Sequence, residues 1–295
     1  MPGGSKVGSK TLKLLGALRG FYKPSNEEVW VLAEVARLNK LYLAYLRAVK
    51  GVLEGELLRE EAKYKWFMEN AVGVISALNG LNYALYKFRR PLEHVSVDLD
   101  ILIDRGDIPR AVQALVSRGF EVVVWEPYTV TLMRRGFVVD LYTEPSFAWV
   151  VYANGGRLLR EYSEDVEVCG VRARALTREA EVAVAAAHAV YKEHLVLLMD
   201  CLVAWRWLGS GAWEVAEELK IEASLRELLE VCDLVRRGLA EAPYRLRPHT
   251  LARAYLRKAL GDPTFRTTLP NALRYILSRK DIGTEILVRL IRRSY

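Results

Sequence analysis

Several signals are missing from this 295-residue chain. Its three cysteines, Cys169, Cys201 and Cys232, are far apart and share no ligand spacing, which argues against a cysteine metal centre. They read as core thiols, with an internal disulfide left open. There is no glycine–lysine phosphate loop, no G-x-G-x-x-G after a strand and no G-x-S-x-G nucleophile elbow. No apolar run is long enough for a bilayer span; "HLVLLMDCLVAWRWL" comes nearest, and Asp200 and Arg206 interrupt it. The opening "MPGGSKVGSKTLKLL" lacks the apolar core and small-residue cleavage site of a secretory signal, so a cytoplasmic protein without a membrane partner is expected. Gln113 is the only glutamine, while Arg, Glu, Val and Leu abound, a composition that fits a thermophile.

What is present is the balance of a globular protein: 52% hydrophobic and 27% charged residues, enough chain for more than one domain. The net charge of +7 is concentrated. From Arg245 onward there are 12 Lys and Arg against 3 Asp and Glu. Such a tail suits an anionic partner such as RNA, and equally suits helices with arginine-rich outer faces.

The first dozen residues are rich in Gly, Ser and Lys and are expected to be disordered. One helix is expected from a cap at Ser25 or Asn26 to Gly51, and another through "EGELLREEAKYKWFMENAVGVISAL". The pattern then changes to strands. "VSVDLDILI" alternates, with Val95, Val97, Leu99, Ile101 and Ile103 on one face and Ser96, Asp98 and Asp100 on the other. A helix follows, with Asp107 as cap, Pro109 in the first turn and Gly119 as stop. "FEVVVWEP" and "YTVTLMRRGFVVDLYTEP" give three strands, the last two turning at Arg135-Gly136, and "VEVCGVRARAL" gives an edge hairpin. From Thr177 a single buried helix is expected to run to Gly209, followed by shorter helices. The expected organisation is a helical lead-in over 1–70, an α/β core over 71–176 and a helical domain over 177–295. The fold class is α+β, a small mixed sheet with N-terminal and C-terminal helices.

The informative feature is a pair of carboxylates inside a core strand. A buried charge is costly unless something compensates it. Residues two apart on a strand point the same way, so Asp98 and Asp100 converge on one small volume. Their repulsion raises one pKa unless a cation lies between them. Magnesium suits that position, because it takes one or two carboxylates together with phosphate oxygens. Asp140 in "FVVDLYT" is a lone carboxylate in another strand. If the two strands are neighbours, the three acids form a triad able to hold two metals for in-line attack on phosphorus.

The order "ISALNGLNYALYKFRRPLEHVSVDLDILI", a glycine turn after a helix, an arginine pair and then a strand D-x-D, resembles the nucleotidyltransferase-fold superfamily of the DNA polymerase β type. Within it the pattern is most similar to uncharacterised and toxin-type nucleotidyltransferases. The resemblance covers about Ile75 to Thr143. It implies transfer of a nucleoside monophosphate from a nucleoside triphosphate such as ATP to a hydroxyl, with two magnesium ions, or manganese in their place. Asp98, Asp100 and Asp140 would be the catalytic, metal-binding acids. Gly80, Asn82, Arg90 and Lys192 would meet the nucleotide, and Arg89 and Arg90 would either clamp phosphates or cap the preceding helix. A serine that follows the glycine in many relatives is Leu81 here, which leaves Asn82 as the nearby donor. His188 and His194 read as core or surface residues. The acceptor stays open between transfer RNA or another RNA, a protein and a small molecule. The competing reading is an inactive relative that keeps the fold and binds RNA or a protein partner.

Overall fold

The structure, a computed structural model, describes residues 8–278. Four helices open the chain: α1 (Lys10–Leu18), α2 (Asn26–Leu38), α3 (Tyr42–Ala48) and α4 (Glu54–Ala77). The first seven residues lie outside the described range. The expectation of disorder fails for the residues that follow, because α1 is tied down over a long sequence distance. The Glu241 carboxylate accepts the N–H of Lys10 (3.0 Å), the N–H of Thr11 (2.8 Å) and the Thr11 hydroxyl (2.5 Å). Ser25 does cap α2, in a capping box with Glu28.

The single helix expected to Gly51 is instead two. Asn39 ends α2, and Lys40 takes the left-handed conformation with φ of +58°. Asn39 is fully buried, and its amide is spent on tertiary bonds. Its Nδ2 donates to the carbonyls of Val35 (2.8 Å) and Ala242 (2.9 Å), and its Oδ1 accepts from the N–H of Leu198 (2.7 Å). A break fixed by partners more than 150 residues away leaves no mark on local apolar spacing.

The centre is a seven-stranded mixed sheet in the order β3-β4-β5-β2-β1-β9-β8. Its strands are β1 (Tyr83–Leu85), β2 (Asp98–Ile103), β3 (Glu121–Trp125), β4 (Thr129–Arg134), β5 (Phe137–Tyr142), β8 (Ser163–Val168) and β9 (Val171–Leu176). A separate small hairpin is made by β6 (Ser146–Phe147) and β7 (Val150–Val151). The β2–β5 and β1–β9 pairs are parallel, and the other neighbours are antiparallel. The three strands after residue 120 and the edge hairpin lie where the alternation predicts. Two details differ. The strand begins at Asp98 rather than Val95, leaving Val97 86% exposed. Asp107 takes the N-cap position of α5 (Ile108–Val116) as expected, but without a side-chain capping bond; its carboxylate accepts from the N–H of Asn82 and pairs with Arg110.

One face of the sheet buries Leu99, Ile101 and Ile103 against Phe67, Ala71, Val74 and Ile75 of α4 and Leu115 of α5. The pleat therefore turns Asp98 and Asp100 to the other face. Ala84, Tyr86, Leu102 and Tyr142 join the sheet to a second core shared with the helical layer, which comprises α6 (Gly155–Glu161), α7 (Arg178–His188), α8 (Leu198–Trp207), α9 (Ser210–Glu218), α10 (Glu222–Arg236), α11 (Pro248–Gly261), α12 (Pro263–Thr268) and α13 (Asn271–Ser278). Thr177 caps α7 as expected, but no single helix reaches Gly209. A π-helical turn occupies Ala189–Glu193, His194 is left-handed at φ +56°, and β10 (Leu195–Val196) pairs with β11 (Tyr244–Arg245) before α8 begins. Fully apolar stretches, Val182–Ala187 and Leu195–Met199, flank the break on both sides, so periodicity does not report it.

Cys201 and Cys232 form a disulfide between α8 and α10, whereas Cys169 is exposed in the β8–β9 turn rather than buried. Among the described residues no helix is long and apolar enough to cross a membrane. Part of the basic C-terminal surplus, positions 279–295, lies outside the described residues. Of the rest, Lys258 is buried and bonded to Asp262 and the carbonyls of Leu219 and Lys220, and Arg253 pairs with Glu227.

Candidate active site

Strand register assembles the acids. Asp98 and Asp100 share a face of β2, and parallel pairing sets Asp100 directly beside Asp140 of β5. One carboxylate oxygen from each lies within 4.8 Å of the others. Burial, reinforced by the neighbouring Asp100, pushes the Asp98 carboxyl above the usual range. Burial does the same to Asp140, although Thr131 opposes it by donating its hydroxyl to Asp140 Oδ1 at 2.5 Å. Asp100 is the deepest, at 9% exposure. Burial works against its charge too, but Lys87 and then Lys192 outweigh it and hold its pKa below the ordinary value. Asp100 Oδ1 is buried without a hydrogen-bond partner. Three converging hard oxygen donors, two of them resisting ionisation and one oxygen left bare, fit a divalent cation such as magnesium.

Basic residues surround the acids. Lys87 Nζ lies 2.7 Å from Asp100 Oδ2. The residue follows β1, where the Tyr86 N–H donates to the Asp100 carbonyl at 3.0 Å. Lys87 itself is left-handed, at φ +56°, a strained conformation for a residue with a side chain. The turn after it is pinned from below. Glu181 of α7 is fully buried, and its Oε1 accepts from the N–H groups of Phe88 (3.0 Å) and Arg89 (3.3 Å). Burial pushes the Glu181 carboxyl up to about 7, against the pull of Arg90 and Lys87. Arg90 Nε and Nη1 are buried without partners. Lys192 lies on the π-helical turn, where burial and Lys87 lower its pKa while Asp100 raises it.

These groups open onto two adjoining spaces. A cavity of about 520 Å³ is lined by Lys40, Lys87, Arg90, Asp98, Asp100 and Lys192, among others. A second, of about 370 Å³, shares Lys87, Arg90, Asp98 and Asp100 and is walled by Tyr64, Phe88 and Trp207. Both fall within the range of roughly 300–1,000 Å³ typical of small-ligand sites.

Of the residues expected at the site, the fold brings together Asp98, Asp100, Asp140, Arg90 and Lys192. It does not bring Gly80 or Asn82. Because β1 runs antiparallel to β2, Asn82 lies at the level of Asp104, four residues along the strand from Asp100, or about 13 Å. Its N–H goes to Asp107 and its Oδ1 accepts from Arg174. Gly80 occupies the turn after α4 at φ +80°, a turn that only redirects the chain. Arg89 lines the smaller cavity, but its guanidinium is engaged with Glu164 and the Leu176 carbonyl and braces the turn. His194 contacts the Tyr255 hydroxyl, consistent with a core role. His188 lines the larger cavity, and burial then Lys87 drive its pKa down to about 3, so its ring is neutral.

The residues that the sequence does not announce are Lys87, Lys40 and Glu181. β1 is only three residues long, too short for its alternation to register. The available signal was a lysine closing the apolar run "YALYKF" a dozen residues ahead of the D-x-D.

A family model described as uncharacterised nucleotidyltransferase matches residues 65–237, more than half of the chain. The match begins within α4, spans the whole sheet and ends just after α10. No curated protein matches the sequence. The chain belongs to this nucleotidyltransferase family.

Proposed function

We propose that this member of the uncharacterised nucleotidyltransferase family moves a nucleoside monophosphate from a nucleoside triphosphate to an acceptor hydroxyl, in a magnesium-dependent reaction that releases pyrophosphate. The observation that carries the reading is the convergence of Asp98, Asp100 and Asp140, the first two of which line a cavity rimmed by lysine and arginine. Carboxylates alone repel a triphosphate; carboxylates that hold a cation beside Arg90, Lys192 and Lys40 attract one.

Asp98, Asp100 and Asp140 would hold the magnesium, which supplies charge neutralisation at the phosphorus and lowers the pKa of a hydroxyl it polarises. The chain's own groups do the remainder. Arg90 offers two buried, unpartnered nitrogens, Nε and Nη1, to phosphate oxygens. Lys192 and Lys40 supply point charges for the triphosphate, with Lys192 seated where its positive charge also faces Asp100. Asp140 is oriented by Thr131 and Tyr142, which fixes its free lone pairs for a metal or for the acceptor proton. Most of the rate enhancement then comes from positioning and preorganised charge.

An RNA acceptor is the version favoured by the exposed Arg247, Arg257, Arg266 and Arg274 of the C-terminal helical region. The reading is tested by a thermal-shift panel of the four nucleoside triphosphates with and without magnesium. The expected result is a magnesium-dependent rise in melting temperature for at least one of them, lost in Asp100→Ala. No shift with any of the four would overturn it.

A further inference from the structure

We propose that the Lys87 ammonium is a built-in cation that fills one of the two positive positions at the acidic triad, so that the site takes one divalent ion rather than two. The inference rests on the metal-binding reading above, and it concerns what this chain itself brings to that site.

Three observations carry it. First, Lys87 Nζ is already bonded to Asp100 Oδ2 at 2.7 Å, in a pocket where both side chains are about nine-tenths buried. Second, Lys87 is held in place. It is left-handed at φ +56°, and the turn it begins is fastened by Glu181, whose Oε1 accepts the next two backbone N–H groups. The backbone thus fixes where the Lys87 stem begins, and the ion pair with Asp100 sets Nζ among the acids. Third, Asp100 still has one oxygen without a partner, and Asp98 and Asp140 point to the same space. These oxygens suit one ion beside the ammonium.

Charge balance leads to the same count. The fully ionised triad carries three negative charges, and Lys87 with one divalent ion provides three positive ones. A second divalent ion would add two more positive charges next to a fixed ammonium, with Lys192, Lys40 and Arg90 also close by. Like charges this near, in a poorly hydrated cleft, repel strongly. The incoming triphosphate is then left for the outer cations.

The test counts bound ions rather than turnover. Manganese is titrated into the full chain, with free Mn²⁺ followed by its paramagnetic resonance signal, for the wild type, Lys87→Met and Lys87→Arg. The proposal expects one bound ion in the wild type and in Lys87→Arg. It expects two in Lys87→Met, or one bound at least ~10-fold more tightly because the competing charge is gone. Two ions in the wild type would overturn the proposal, as would a Lys87→Met titration that superimposes on the wild-type one. Circular dichroism confirms that each variant is folded, and a wild-type count of two overturns the proposal even if Lys87→Met does not fold. If the wild type binds no manganese, the metal-binding reading itself falls. That outcome is distinct from a count of two, which leaves the metal reading intact and removes only the role of Lys87.

Discussion

Glu181→Gln separates charge from shape at the base of the site. The carboxyl is fully buried, accepts two backbone N–H groups through Oε1, and has its other oxygen without a partner. Its pKa in the folded chain is about 7 against an ordinary 4.5, because burial disfavours the charged form more than Arg90 and Lys87 favour it. Below the unfolded value both states are protonated, and the fold loses nothing. As pH rises from about 4.5 to about 7 the unfolded chain ionises and the folded chain does not, so stability drains away; above that window the loss is constant. A displacement of this size corresponds to roughly 3 kcal/mol. Glutamine cannot ionise, and its amide oxygen can still receive the N–H groups of Phe88 and Arg89. The variant should therefore gain on the wild type by roughly 3 kcal/mol between acid and alkaline conditions, a large share of a typical folding free energy. Urea unfolding at several pH values from about 4.5 to about 8 measures the gap. Two parallel stability–pH curves would refute the reasoning, since they would mean that Glu181 is not held neutral by the fold.

Other consequences follow from specific contacts. Asn39→Ala leaves the Leu198 N–H and the Ala242 carbonyl buried without their partners and should cost about 2–4 kcal/mol by denaturant unfolding; a loss below about 0.5 kcal/mol would show that the knot at Asn39 is not structural. Replacing both Cys201 and Cys232 by serine opens a loop with a sequence separation of 31 residues, and should lower stability by about 3–4 kcal/mol on the chain-entropy account. Reducing agent should reproduce most of that loss in the wild type and none of it in the double variant. Burial holds the Asp98 and Asp140 carboxyls above their ordinary range, so the metal-free fold is favoured at acid pH and loses that advantage as they ionise. Magnesium binds the ionised form, so the rise in melting temperature it causes should grow as pH climbs above the ordinary carboxylate range; a rise that does not depend on pH would contradict the assignment.

The triad was legible because strand geometry is local. A carboxylate pair two apart in an alternating strand, and a third in another alternating strand, already share a face. Only the pairing of β2 with β5 remained to be supplied by the fold. The cationic side of the site was far less legible. Lys87 and Lys40 owe their positions to single left-handed residues, and tertiary hydrogen bonds from Glu181 and Asn39 fix the chain around them. Lys192 was expected on an ordinary helix face, but a π-helical turn sets its direction. Gly80 and Asn82 drew attention as a glycine turn just upstream of the acids, yet the antiparallel course of β1 carries that turn to the far end of the sheet and brings Lys87 back to the near end. Local pattern thus located the charges that face inward along strands. It missed those placed by breaks in helices and by one-residue kinks.

The central claim is that the three acids work together on a nucleotide. It is tested most directly by incubating the protein with α-labelled nucleoside triphosphates, magnesium and an RNA pool, and following label onto acceptor. The account predicts incorporation from at least one nucleotide by the wild type, and none above background by Asp98→Ala, Asp100→Ala or Asp140→Ala variants that remain folded. Transfer that persists when Asp100 is replaced would contradict it.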